Sequence, residues 1–129
     1  NIDYFKSKNI EIINSSPLAM GLLTEQGPPS WHPASNLMLN TVSKLKDYCF
    51  NNKENISDLS MRYSLSNPYI LTTITGGKNI NEIQKNINCL NKPLSHLLIK
   101  DINKIVYPIK NYLWGPEDGV NPVFKWNFK

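Results

Sequence analysis

The segment SSPLAMGLLTEQGPPSWHPAS, residues 15–35, combines residues suited to ligand binding with an irregular pattern. It holds two glycines, several prolines and the pair Trp31–His32, and it follows neither a helical nor a strand period. Long irregular loops in compact domains are usually functional or disordered. Met20 and Leu22 help to make this loop too apolar for a disordered linker. We therefore expect the loop to cover a site or to be covered itself.

A second stretch, GGKNINEIQKN at residues 76–86, places a double-glycine turn before an amphipathic helix. The free N–H groups at a helix N-terminus favour an anion or another polar group. The side-chain amide of Asn86, further along this helix, can both donate and accept hydrogen bonds. This turn and its helix are the second candidate binding element.

The bulk composition fits one domain or part of a larger one, with 129 residues, 40% hydrophobic side chains and a formal charge of +4. The basic residues are dispersed along the chain, which argues against nucleic-acid binding. Cys49 and Cys89 are isolated and have no histidine at ligand spacing, so we expect reduced, part-buried thiols and no metal site. No signal sequence opens the chain and no apolar run has membrane-spanning length, so the expected location is the cytoplasm.

Hydrophobic spacing predicts the elements that position the two stretches. Short strands are expected within residues 9–16 and over 69–75, the second rich in β-branched side chains. Apolar residues at spacings of three and four predict helices over 39–50, from 56 to 63 with Ser57 as N-cap, over 80–90, and over 94–113 with a bend at Pro108. Asp58 and Arg62, four residues apart, predict an ion pair on the second of these helices.

The order of these elements predicts a βαβ unit with a parallel sheet. Two strands do not form an independently stable sheet, and both would expose an unpaired edge. Residues 1–9, NIDYFKSKN, are typical of the last turns of a helix that begins earlier. We therefore expect the chain to be a fragment of a larger α/β fold. Residues 114–129 are aromatic and turn-rich, and no element is assigned to them.

The two stretches resemble the C-terminal part of the aldo-keto reductases, which are nicotinamide-dependent (β/α)8 barrels. In that family the seventh strand ends in Ser-Pro-Leu-x-x-Gly, matched here by residues 16–21. The eighth strand leads into a glycine turn and a helix with a late asparagine, matched by Gly76 and Asn86. The loop over residues 15–35 is most similar to that of the subgroup formed by L-galactose dehydrogenases and D-threo-aldose 1-dehydrogenases.

The resemblance implies an α/β fold that is the C-terminal part of a TIM barrel. Residues 1–113 would supply strands seven and eight, their helices and an extra C-terminal helix. Residues 114–129 would form a C-terminal tail. The remainder of the barrel would come from a missing N-terminal part, which makes that part the chain's expected partner.

The resemblance also implies that the loop folds over the cofactor at the carboxyl ends of the strands. Gly21 would let the backbone approach the pyrophosphate, and Leu18 and Leu22 would offer backbone N–H groups and an apolar rim. The alternative is that these residues only form a strand-to-loop turn. Asn86 is expected to hydrogen-bond adenine. The implied cofactor-binding residues are Ser16, Leu18, Gly21, Leu22, Gly76, Glu82 and Asn86.

Glu82 bears on the choice of cofactor. Members of the family that prefer NADP carry an arginine near this position to pair with the 2′-phosphate. A carboxylate would repel that phosphate and accept a hydrogen bond from a free ribose hydroxyl, so the resemblance favours NAD. NADP is the alternative, because Lys78 lies close enough in sequence to reach a phosphate. The alternative interpretation of Glu82 is a charged, solvent-exposed helix residue with no role in binding.

Trp31 and His32 are the expected substrate-binding residues, since an indole can stack on a sugar face and an imidazole can hydrogen-bond a sugar hydroxyl. The alternative is that both anchor the loop. The resemblance implies an NAD-dependent oxidoreductase that oxidises a free, L-galactose-like aldose at its anomeric carbon to the lactone. The family's catalytic Asp, Tyr, Lys and His have no match here, so no catalytic residue is assigned. The rival interpretation is a non-catalytic, truncated nucleotide-binding domain that lacks this set.

Overall fold

A computed structural model describes residues 2–112, which form helices around two short parallel strands. The predicted tail over 114–129, and the last residue of the helix predicted over 94–113, lie outside the described residues. The helices are α1 (Ile2–Ser7), α2 (Asn36–Asn51), α3 (Ile56–Leu65), α4 (Ile80–Asn88) and α5 (His96–Val106). The strands are β1 (Ile13–Ser15) and β2 (Thr72–Ile74), and single 3-10 turns cover Ala19–Gly21, Cys89–Asn91 and Tyr107–Ile109.

The two strands confirm the predicted parallel βαβ order. Ile13 lies opposite Thr72, and Ser15 lies opposite Ile74. The N–H of Leu71 extends the pairing by donating to the carbonyl oxygen of Ile12, with an N···O distance of 2.9 Å. The paired segments are shorter than the predicted strands. In the part of the chain that the structure describes, each strand pairs on one side only, so its other edge is open.

The hydrophobic core lies between α2, α3 and α5. Helix α2 begins at a serine cap, where the hydroxyl of Ser35 accepts from the N–H of Met38 at 3.3 Å. The predicted spacing of three and four then buries one face of the helix. The core residues are Leu22 from the loop, Val42, Leu45 and Cys49 of α2, Ile56 and Leu59 of α3, and Ile102 of α5.

Apolar side chains of the strands and of α4 are exposed. Ile13 and Ile74 are 57% and 60% exposed. On α4, Ile80 and Ile87 are 85% and 50% exposed, and this helix has no buried residue. Within residues 2–112, nothing covers these side chains.

The cap of α3 is Asn55, and the prediction of Ser57 as N-cap is wrong. The side-chain oxygen of Asn55 accepts from the N–H groups of Ser57 and Asp58 at 3.0 and 3.1 Å. Ser57 already lies inside the helix, where its N–H is one of the donors that a cap must satisfy. The predicted pair between Asp58 and Arg62 is also wrong, because Arg62 forms its ion pair with Glu54.

Helix α5 ends at Val106 and does not continue through a bend at Pro108. The chain instead forms the 3-10 turn Tyr107–Ile109, and Pro108 lies in its first residues. A proline inside an α-helix has no N–H to donate and its ring clashes with the carbonyl four residues before it. The first turn of a new helical segment tolerates a proline, because its N–H groups have no partner within that segment.

Replacing Asn55 by alanine is expected to destabilise the protein by about 1 kcal/mol, because two N–H groups of α3 lose their acceptor. The free energy of unfolding, measured in urea, tests this expectation. Ser57→Ala is the matched control and should change it by less than about 0.5 kcal/mol. A larger loss from Ser57→Ala than from Asn55→Ala would show that the cap has been misassigned.

Candidate functional site

The loop after β1 turns sharply through left-handed backbone conformations. Ser16, Ala19 and Met20 have φ values of 56°, 48° and 52°, and Gly21 has a φ of 94°. Such values are uncommon for residues other than glycine. A Cβ added at Gly21 would meet its nearest neighbour, the carbonyl oxygen of Gly27, at an ordinary 3.5 Å. The backbone angle, and not crowding inside the protein, is therefore what favours glycine at this position.

Two side chains fix the conformation of the loop from within. The hydroxyl of Thr24 donates to the carbonyl oxygen of Gly21 at 2.7 Å and accepts from the N–H of Gly27 at 3.2 Å. The ring of His32 accepts from the N–H of Ala34 through Nδ1 at 3.1 Å, so its proton lies on Nε2. Nε2 then donates to the carbonyl oxygen of Ala19 at 3.0 Å. His32 thus anchors the loop through both ring nitrogens.

Glu25 ties the loop to the start of α3. Its Oε1 accepts from the N–H of Ile56 and from the side-chain amide of Asn55, both at 3.2 Å. The ammonium group of Lys46, on α2, donates to the carbonyl oxygen of Glu25 at 3.3 Å. The loop therefore has a fixed position over the first turn of α3.

The turn between β2 and α4 forms the facing wall. A Cβ added at Gly77 would lie 3.0 Å from the Cβ of Glu82 and 3.2 Å from the backbone nitrogen of Ile83, so a larger residue there would force the start of α4 to shift. A Cβ at Gly76 would meet nothing within 4 Å. The amide of Asn86 donates to the carbonyl oxygen of Gly76 at 3.2 Å and to the hydroxyl of Thr75 at 3.4 Å.

Glu82 and Asn79 form a reciprocal cap at the N-terminus of α4. The side-chain oxygen of Asn79 accepts from the N–H of Glu82 at 3.0 Å. Oε2 of Glu82 accepts from the N–H of Lys78 at 2.9 Å, and its Oε1 accepts from the amide of Asn79 at 3.3 Å. Both carboxylate oxygens of Glu82 are therefore engaged by its own helix.

A cleft of about 630 Å³ separates the loop from the β2–α4 turn. The loop forms one wall through residues 24–29, and the first turn of α3 contributes Asn55, Ser57 and Asp58. Five of the predicted cofactor-binding residues line the cleft: Leu18, Gly21, Gly76, Glu82 and Asn86. Segments that are about 60 residues apart in sequence thus meet around one cavity, as the parallel strand order requires.

The remaining predicted site residues lie elsewhere. Ser16 and Leu22 line a second, mainly apolar cavity of about 470 Å³ between β1 and the helices, and Leu22 is only 4% exposed. Trp31 is 68% exposed and stacks beside the ring of His32, with 6.2 Å between the ring centroids. Neither Trp31 nor His32 lines the cleft. Their roles in binding cofactor or substrate remain predictions.

The charges around the cleft are mixed. Three carboxylates, those of Glu25, Asp58 and Glu82, and two ammonium groups, those of Lys78 and Lys85, line it. The sequence contains a single arginine, Arg62, and that side chain is paired with Glu54 and only 10% exposed. The arginine fork that suits a 2′-phosphate is therefore not available from this chain.

Sequence reasoning missed Glu25, Asp58 and Lys85 as residues of the cleft. Asn55 was detectable, because an asparagine directly before a periodic apolar run is a typical N-cap. Glu25 contacts α3 across 30 residues of sequence, and no local pattern indicates such a contact.

Both thiols are buried, and their burial favours the protonated form. Burial raises the pKa of Cys49 to about 11, and burial also raises the pKa of Cys89. Both cysteines are free and buried, where the sequence predicted part-buried thiols. Residues 2–112 contain no group of three or more His, Cys, Asp or Glu side chains able to hold a metal ion. Over the same residues, no helix is both long and apolar enough to cross a membrane.

Comparison with known proteins identifies the family and a relative of this chain. The family model described as "Aldo/keto reductase family" matches residues 2–107. The chain is 33% identical over 117 residues to a protein named L-galactose dehydrogenase from Arabidopsis thaliana. The match covers 88% of this chain and 37% of that protein, so the chain spans little more than a third of its relative's length. With the family model matching most of its length, the chain belongs to the aldo/keto reductase family.

Proposed function

We propose that this chain is the cofactor-binding part of an NAD-dependent oxidoreductase that oxidises a free, L-galactose-like aldose at its anomeric carbon to the lactone. Membership of the aldo/keto reductase family supports an oxidoreductase with a nicotinamide cofactor. The printed name of the Arabidopsis relative supports a sugar substrate. The observation that carries the proposal is the cleft, where the loop after β1 faces the glycine turn and Asn86.

The cleft suits the adenosine half of a dinucleotide. Its volume of about 630 Å³ lies within the range of small-molecule sites. The amide oxygen of Asn86 is left as an acceptor after its nitrogen has donated to Gly76 and Thr75. Adenine offers the complementary amino group. The single arginine, Arg62, is paired with Glu54 and is not available to a 2′-phosphate, and a cleft carboxylate beside the ribose would repel that phosphate, so the cleft favours NAD over NADP.

The bound nicotinamide would supply the acceptor for the hydride, and the residues of this chain would hold and orient it. The loop residues Leu18 and Gly21 would lie against the pyrophosphate, and Asn86 would contact adenine. Trp31 offers an exposed aromatic face to a sugar ring. His32 would act indirectly, because both its ring nitrogens hold the loop. The family's catalytic set would come from the part of the barrel that precedes these strands.

We also propose that β1 and β2 are strands seven and eight of a (β/α)8 barrel, completed by an N-terminal part. The open strand edges and the exposed side chains of Ile13, Ile74 and Ile80 support this proposal. Barrel strands pair on both edges and point side chains into a filled interior. The two strands here have the surfaces that such neighbours would cover.

The test is to express the full-length protein and follow NADH formation with free aldoses, identifying the product as a lactone. We expect NAD-dependent oxidation of an L-galactose-like sugar, with no turnover of the corresponding alkyl glycoside, whose anomeric oxygen is blocked. The rival function is nucleotide binding without catalysis. The proposal would be overturned in favour of that rival by two results together: the full-length protein binds NAD without turning over any aldose, and its sequence lacks the Asp, Tyr, Lys and His set.

A further inference from the structure

The three carboxylates that line the cleft differ in how they are engaged. Both oxygens of Glu82 accept hydrogen bonds at the start of α4. Oε1 of Glu25 accepts two hydrogen bonds at the start of α3. Within residues 2–112, the carboxylate of Asp58 has no hydrogen-bond or ion-pair partner. Its expected partner, Arg62, is paired with Glu54 instead. Asp58 is therefore the cleft carboxylate that is fully available to a ligand.

The backbone around Asp58 is held in place on the first turn of α3. Its N–H donates to the side-chain oxygen of Asn55 at 3.1 Å, and its carbonyl oxygen accepts from the thiol of Cys89 at 3.9 Å. The next residue, Leu59, is 1% exposed in the core. The backbone of this turn therefore has little conformational freedom to lose when the Asp58 side chain binds a ligand.

We propose that Asp58, and not Glu82, is the carboxylate that recognises the adenosine half of the cofactor. The inference rests on the proposed function and names a specificity-determining residue for it. An ionised carboxylate only accepts hydrogen bonds, and adenosine presents the matching donors: the 6-amino group of adenine and the ribose hydroxyls. Hydrogen bonds to a charged acceptor are stronger than neutral ones. Glu82 serves instead to hold the N-terminus of α4.

The experiment compares two matched substitutions in the full-length protein, Asp58→Asn and Glu82→Gln. Each removes one negative charge from the cleft and keeps the size of the side chain. Glutamine also serves in the reciprocal cap, so Glu82→Gln should leave α4 intact. Dissociation constants are measured for NAD, for NADP and for the hypoxanthine analogue of NAD, in which an oxo group replaces the 6-amino group. Unfolding in urea verifies that each variant folds.

Asp58→Asn is expected to weaken NAD binding about tenfold, the usual difference between a charge-assisted and a neutral hydrogen bond. If Asp58 accepts from the ribose 2′-hydroxyl, the preference for NAD over NADP falls by that factor. If Asp58 accepts from the adenine amino group, the preference for NAD over the hypoxanthine analogue falls instead. Glu82→Gln should change neither preference by more than about twofold.

Two outcomes would overturn the inference alone. In the first, Asp58→Asn binds all three dinucleotides as tightly as the wild type does. In the second, Glu82→Gln produces the shift expected of Asp58→Asn. If the wild-type protein binds neither NAD nor NADP, the proposed function itself fails, and the assignment of Asp58 fails with it.

Discussion

Replacing Ile56 by alanine is expected to destabilise the protein by about 2–5 kcal/mol, one of the largest losses available from a single side chain. Ile56 is 0% exposed, and it packs with Leu22, Leu59 and the buried face of α2. Its removal leaves a cavity that these fixed neighbours fill only in part. The free energy of unfolding in urea is the measurement.

Ile56→Val is the control for this prediction, because it removes one methylene and should cost only about 0.5–1.5 kcal/mol. Both variants keep the backbone N–H that donates to Glu25, so a difference between them reports on packing and not on the loop contact. A loss below about 1 kcal/mol for Ile56→Ala would mean that the core is less tightly packed here than the burial of Ile56 indicates.

The helices were predictable because their signals are local. Leu45 and Cys49 follow the helical period within one segment, and burial of that face against the core confirms the period. The strands were predicted too long for the opposite reason. A strand is defined by pairing with another segment, and here the paired strands are three residues long, extended by the one hydrogen bond from Leu71 to Ile12. Residues 69–71 have a strand-like composition, but the chain turns at Tyr69 and bends at Leu71 before β2 begins.

The candidate site was predictable in its two elements and not in the contacts between them. The pairs Gly21 with Gly76 and Leu18 with Asn86 line one cleft, as the order of the strands indicated. The position of the loop depends on Glu25, whose partners Asn55 and Ile56 lie far along the chain. No periodicity or capping rule extends over that distance, so this contact needs the folded structure.

Glu82 shows how one residue type supports two interpretations until its neighbours are known. A glutamate three residues after an asparagine N-cap is the sequence pattern of a reciprocal helix cap. A glutamate that lies near a bound ribose is also typical of a cofactor contact. The hydrogen bonds of Glu82 with Lys78 and Asn79 account for both its oxygens. The carboxylate of Asp58 was instead expected to pair with Arg62, and the structure leaves it available.

Removing the carboxylate of Glu54 is expected to destabilise the protein by about 3 kcal/mol, because it leaves the charge of Arg62 buried and unpaired. The side chain of Arg62 is 10% exposed, that of Glu54 is 27% exposed, and the two form an ion pair. The Nε of Arg62 is buried with no hydrogen-bond partner among residues 2–112. The guanidinium group therefore depends on Glu54 for compensation.

A double-mutant cycle tests this dependence. Glu54→Ala, Arg62→Met and the double variant that carries both substitutions are unfolded in urea alongside the wild type. Methionine keeps much of the length of arginine without its charge, so the double variant should recover more than half of the loss caused by Glu54→Ala. The exposed pair between Lys104 and Asp101, with N···O at 3.5 Å and Lys104 67% exposed, provides the control. Lys104→Ala should cost less than about 0.5 kcal/mol. If Glu54→Ala costs no more than Lys104→Ala, water rather than Glu54 compensates Arg62, and the guanidinium is free to take another partner.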